Sequence, residues 1–187
     1  MPTAKIKNYF KKMRGTSRTL KKQSLIDIFW SWLGGFFGIY AIWFVNDLIG
    51  IQPYANLYLI GSFGASAVLV YGIPAGEMSQ PKNLVGGHIV SALSGVITYK
   101  FIYWHLPLAA ALAVSIAIAG MLLTHTTHPP GGATALIAVI GGPSIHKLGF
   151  MYILSPVLIG VIIMLLVAVI VNNFSSNENR NYPKHWF

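Results

Sequence analysis

Cysteine is absent from all 187 residues, which excludes disulfides, thiolate metal sites and cysteine nucleophiles and leaves the compartment open. Charge is scarce as well. Only 9% of residues are charged and 55% are hydrophobic, whereas an ordinary soluble domain is roughly a quarter charged. With a mean hydropathy of +0.62, the chain is not a water-soluble single domain. Apolar runs of about 20 residues satisfy their backbone groups in lipid as helices, or as a closed barrel whose strands alternate polar and apolar residues. The runs here do not alternate. The expected fold class is therefore all-α, a polytopic transmembrane helix bundle.

Acidic residues are the second scarcity. Asp27, Asp47 and Glu77 fall at span edges or in loops, and no Asp or Glu lies deep within a span. Cation and proton carriers usually place a carboxylate inside the membrane. Walls without one suit an anion or a small neutral solute better. The basic residues are unevenly spread: Lys5, Lys7, Lys11, Lys12, Arg14, Arg18, Lys21 and Lys22 all precede the first apolar run. Such an arm beside a span fits the positive-inside rule and contact with anionic lipid headgroups, and does not point to nucleic acid. The expected location is a bacterial cytoplasmic (inner) membrane with a cytoplasmic N-terminus. The first apolar run lacks a small-residue cleavage site, so it is expected to stay as an anchor.

The chain divides into a basic arm at 1–26, a transmembrane region at 27–172 and a polar tail at 173–187. Spans are expected at about 28–45, 55–73, 83–103, 107–123 and 148–171, with a short apolar piece at 132–141. If the short piece crosses, the count is six and the tail returns to the side of the arm. If it is re-entrant, the count is five. In the third span, Gly87, Ser91 and Gly95 lie four residues apart on one face, a spacing that lets another helix approach closely.

The stretch 64–69, Gly64-Ala65-Ser66-Ala67-Val68-Leu69, aligns with Gly132-Ala133-Thr134-Ala135-Leu136-Ile137 at a constant offset of 68, and Pro74 and Pro143 follow at offset 69. Two three-span halves of this kind would be inserted upside down relative to each other, a 3+3 inverted repeat with broken half-helices. Ten residues make about 15 Å of helix, half of a hydrocarbon core of about 30 Å. Two half-helices starting near the midplane would oppose their N-termini there, forming an anion site from unpaired N–H groups and dipole ends. The hydroxyls of Ser66 and Thr134 can donate too. Pro129 and Pro130 preset a helix start, with Gly131, Gly132 and Ala133 as expected donors. The bland alternative is that these small residues only mediate helix contacts.

His125 and His128 are spaced for a metal pair, with His88 or His146 to complete it. Zinc sites need three or four ligands, and no cysteine or nearby carboxylate is available, so neither metal nor cofactor is expected. His128 and His88 read instead as hydrogen-bond donors to a solute or as a gate that changes charge near neutral pH, against the alternative of loop capping. No nucleophile with an orienting acid is evident, and an enzyme is not expected.

Three ordered motifs carry a family resemblance: Gly61-Ser62-Phe63-Gly64-Ala65-Ser66-Ala67, then Gln80-Pro81-Lys82-Asn83-Leu84-Val85-Gly86-Gly87-His88, then Thr127-His128-Pro129-Pro130-Gly131-Gly132-Ala133-Thr134-Ala135. They resemble the HPP family of integral membrane proteins, through residues up to about 171. The resemblance implies a small bundle of four or more spans and, as for some cyanobacterial and plastid members, nitrite transport. It carries functional candidacy to His128, Pro129, Pro130, Gly131 and Gly132, and to Asn83, Gly87 and His88. With Gly64, Ala65, Ser66, Ala133 and Thr134 from the repeat, these are the expected substrate-binding residues. The expected function is transport of a small monovalent anion, nitrite or nitrate, by a transporter or channel. The alternative is a membrane scaffold or sensor across which nothing passes. A bundle this small can need copies of itself to seal a pathway, so a homo-oligomer is also expected.

Overall fold

A computed structural model describes residues 23–49 and 60–187. Residues 1–22, which hold every basic residue of the expected arm and its expected lipid contacts, and the first part of the second expected span lie outside the described residues, while residues 25 and 26 of the expected arm belong to α1. The elements are α1 (Leu25–Ile49), α2 (Gly61–Gly72), a 3-10 turn (Glu77–Ser79), α3 (Pro81–Ile102), α4 (Leu106–Leu123), α5 (Pro130–Ile140) and α6 (Pro143–Leu148). A π-helical turn (Ile153–Leu158) then runs into α7 (Ile159–Asn173), and a second 3-10 turn (Glu178–Arg180) follows. Among the described residues, all regular structure is helical. Leu25–Val45, Pro81–Ile102, Leu106–Leu123 and Ile153–Asn173 are long and apolar enough to cross a membrane, whereas α2 and α5 are shorter apolar helices.

Proline sets several of these starts. It occupies the first turn of α3, α5 and α6, where its fixed φ suits a helix and its missing N–H has no intrahelical acceptor to lose. The last span begins five residues later than the sequence suggests. Pro143 opens the separate helix α6, which stops at Gly149 with φ +52, in the left-handed region that favours glycine.

α3 is the central helix, packed on α4 and α5 and on the π turn, while α1 packs on α2 and α7. The apolar core beside it includes Phe63, Leu84, Tyr152, Val161 and Met164. α5 runs parallel to α3: Gly87 lies against His128 at the start of α5, and Gly95 against Ala135 and Ala138 farther along. The expectation that the Gly87, Ser91 and Gly95 face packs on protein therefore holds. Gly87 is six residues into α3, about 9 Å along its axis, so α5 starts well inside the bundle. α2 runs the other way. Its C-terminal end meets the 3-10 turn that leads into α3, where Ser79 Oγ donates to Leu69 O (3.0 Å) and Ile73 O (2.8 Å). The two short helices overlap near their starts and run to opposite ends of α3.

The polar tail is not a loose appendage. Arg180 is buried and donates to the carbonyls of Asp27 (3.1 Å) and Tyr71 (2.8 Å), to Ser31 Oγ (3.0 Å) and to Asn172 Oδ1 (2.8 Å). Burial lowers its pKa, and the nearby Asp27 carboxylate raises it. Asn177 Nδ2 donates to Asp27 Oδ1 at 2.9 Å, so the start of α1 and the tail lie on one face of the bundle.

Candidate functional site

Four polar side chains meet where the short helices overlap. Ser66 comes from α2, His88 from α3, Thr134 from α5 and His128 from the loop that leads into α5, and all four are fully buried. Ser66 Oγ lies 2.8 Å from His88 Nε2 and 2.8 Å from His128 Nε2. His88 Nδ1 lies 2.7 Å from Thr134 Oγ1, and His128 Nδ1 lies 2.7 Å from Met78 O. The imidazole centroids are 5.1 Å apart.

The direction of every bond in this chain follows from one atom. A carbonyl oxygen only accepts, so His128 Nδ1 donates to Met78. In a neutral imidazole the other nitrogen is then an acceptor, and Ser66 donates its single proton to His128 Nε2. Ser66 Oγ must in turn accept from His88 Nε2–H. That leaves His88 Nδ1 to accept from the Thr134 hydroxyl. All four ring nitrogens are engaged, and none is left with a free lone pair for a metal ion. His125 is exposed on the loop, and His146 stacks on Tyr99 with ring centroids 3.7 Å apart and shares a 2.8 Å hydrogen bond with Val139 O. The metal set weighed from spacing is not assembled.

Close backbone approach explains the glycines on this seam. A Cβ on Gly87 would meet His128 Cβ at 2.6 Å and Thr126 O at 2.8 Å, and one on Gly131 would meet Ser91 Oγ at 2.5 Å. Asn83 Nδ2 donates to Thr127 O at 2.9 Å and holds the loop from below. Pro130 and Gly131 are buried, Gly132 and Ala133 are half-buried, and Pro129 is exposed. The amides of Gly131 and Gly132 donate to His128 O (2.8 Å) and Pro129 O (3.0 Å), so the turn already occupies two of the three expected backbone donors. Gly64 and Ala65 face away from the cluster and are exposed.

Sequence reasoning missed three members. Phe63 packs edge-on to His88, with centroids 5.8 Å apart. The Met78 carbonyl, a backbone atom in an unremarked turn, gave no signal at all. Ser62 Oγ is fully buried and makes no hydrogen bond. It lies four residues before Ser66, hence on the same helix face, and that spacing was readable.

The transmembrane region described for the HPP family matches residues 20–183, which carries the likeness past 171 to include Arg180 and Tyr182. Two curated relatives, both transmembrane proteins of Dictyostelium discoideum, are 44% identical over 182 residues and 42% identical over 184. Each alignment covers 96% of this chain, and the chain spans 57% and 63% of the relatives' lengths. No solved structure matches. A match over most of the chain, with all three motifs inside it, makes this protein a member of the HPP family of transmembrane proteins.

Proposed function

We propose that this protein moves a small monovalent anion across its membrane, nitrite first and nitrate or a similar oxyanion next, and that the anion binds between the overlapping starts of α2 and α5. The observation that carries the reading is the buried, unpartnered hydroxyl of Ser62 in the first turn of α2. A helix start is an electropositive place, and a buried hydroxyl without a partner costs free energy unless a ligand completes it. The Ser66 and Thr134 hydroxyls stand one turn farther along their helices, at equivalent positions of the repeat. Nitrite is small and planar, which suits a site walled by Gly, Ala and Ser.

The same reading takes the bundle as a 3+3 inverted repeat with six passages, α1 to α3 and α4 to α7. In its favour, α2 and α5 have 12 and 11 residues. The pairing of α1 with α2 and α7 also has its counterpart in the pairing of α4 with α5 and α3. An even number of passages puts the tail beside the start of α1, where Asn177 meets Asp27. By the positive-inside rule that shared side is cytoplasmic. The bacterial inner membrane expected from the sequence has no support from the relatives, which come from Dictyostelium discoideum.

A liposome panel of nitrite, nitrate, formate and chloride tests transport. Nitrite is expected to pass fastest. Ser62→Ala should raise the KM for the anion about 10-fold, the effect of losing one hydrogen bond of roughly 1.4 kcal/mol to a charged group, with thermal stability intact. No flux of any of the four anions returns the protein to the scaffold reading.

A further inference from the structure

The hydrogen-bonded chain through Thr134, His88, Ser66 and His128 joins two imidazoles through one hydroxyl, and its polarity is fixed at the Met78 carbonyl. Resting on the transport reading above, we propose that this chain carries one transferable proton and that the anion crosses together with it, as an electroneutral pair. The proton is thus the co-substrate, and a bridged histidine pair takes the place of the missing carboxylate.

A proton arriving at His88 Nδ1 displaces the hydrogen bond from Thr134, whose hydroxyl rotates to accept from the new N–H. The proton on His88 Nε2 passes to Ser66 Oγ, and the Ser66 proton passes to His128 Nε2. One proton has entered, His88 is neutral again, and His128 carries N–H on both nitrogens and a positive charge. No electrons move. Loss of the Nδ1 proton from His128 leaves a bare nitrogen facing the Met78 carbonyl. That repulsion between two acceptors disfavours exit at His128, so the charged pair discharges by the reverse of these steps, with the proton leaving at His88 Nδ1 and the resting polarity restored.

The setting gives that charge its leverage. α4, α5 and α7 contain no Asp, Glu, Lys, Arg, His or Tyr, α2 contains only Tyr71, and α3 has Lys82, Tyr99 and Lys100 at its two ends besides His88. The Tyr152 hydroxyl, just before the π turn, donates to the backbone carbonyl of Thr134 at 3.0 Å. Glu77 and His125, the other titratable groups of the two adjoining loops, are exposed. A proton on the pair is therefore the only mobile charge that these elements hold in the interior. In a low-dielectric interior an unscreened cation favours an anion beside it strongly. The loaded pair binds the anion at the neighbouring helix starts, and the neutral pair lets it go.

Two measurements on the full chain decide the matter. In vesicles containing pyranine, external nitrite should acidify the lumen with one proton per anion and build no membrane potential, relative to protein-free vesicles that report nitrous acid leakage. Ser66→Ala should cut proton uptake at least 10-fold, and Ser66→Thr, which keeps the hydroxyl, should restore it. Nitrite entry through wild-type protein that builds a potential without acidifying the lumen overturns the coupling and leaves the transport reading standing. The second measurement needs no transport. In nanodiscs, imidazole ¹⁵N spectra should show Nε2–H on His88 and Nδ1–H on His128 at rest, and a single proton titrating over both rings. The opposite tautomers, or two rings titrating independently, refute the relay even if none of the four anions crosses.

Discussion

The two short helices bear the same Gly-Ala-hydroxyl-Ala motif and solve the same packing problem in opposite ways. On α5, Gly131 packs directly against Ser91 and Gly87 of α3, so close that even a methyl group has no room. On α2 the residue at the equivalent offset is Phe63, and its ring fills the space that Gly160 of α7 leaves open. One seam is closed by two glycines, the other by a large side chain against one glycine. The shared element is the hydroxyl one turn on: Ser66 and Thr134 reach the same imidazole from opposite sides, at Nε2 and Nδ1 of His88. What the two helices keep in common is their polar contact with the bundle centre, and the apolar filling around it differs between them.

That contrast can be broken at three points. Phe63→Ala should have the largest effect, a loss of about 3–5 kcal/mol for emptying a buried aromatic site, read as a fall in thermal midpoint in detergent, with His88 losing its edge-on neighbour. Gly131→Ala should cost about 1–3 kcal/mol through overpacking and should slow transport by shifting the start of α5. If Gly131→Ala proves as mild as a surface change, the two seams are not different in kind. Gly64→Ala marks the other extreme. No atom lies within 4 Å of a Cβ there, so stability should stay level or rise by up to about 1 kcal/mol from better helix propensity, with flux unchanged.

The sequence made the helical bundle, the two short apolar helices and the histidines legible, because hydropathy, proline and glycine act locally and leave a local record. The meeting of Ser66 with Thr134 through His88 was not legible. The offset of 68 identified the two hydroxyls as equivalents, but residue spacing does not say that a third helix places an imidazole between them. Gly131 and Gly132 illustrate another limit. Their amides were expected to face a ligand, yet the tight turn after His128 uses both, a choice that depends on backbone geometry and not on residue type. Gly64 and Ala65 lie in the motif but not at the site: the helix repeat puts Gly64 opposite the face of Ser62 and Ser66 and Ala65 on its flank, and both are exposed.

The docked tail gives the last residues of the chain a reach into its centre. Tyr182 Oη donates to Ser79 O at 2.8 Å, and Gln80 Oε1 accepts from the amide of Lys184 at 2.8 Å while the Gln80 amide nitrogen donates to Pro74 O and Gly76 O. These bonds hold still the turn that carries Met78. Since the Met78 carbonyl dictates which way His128, Ser66 and His88 point their protons, the tail works as a keeper on a compass needle: lifting it off the turn frees the buried chain to reverse.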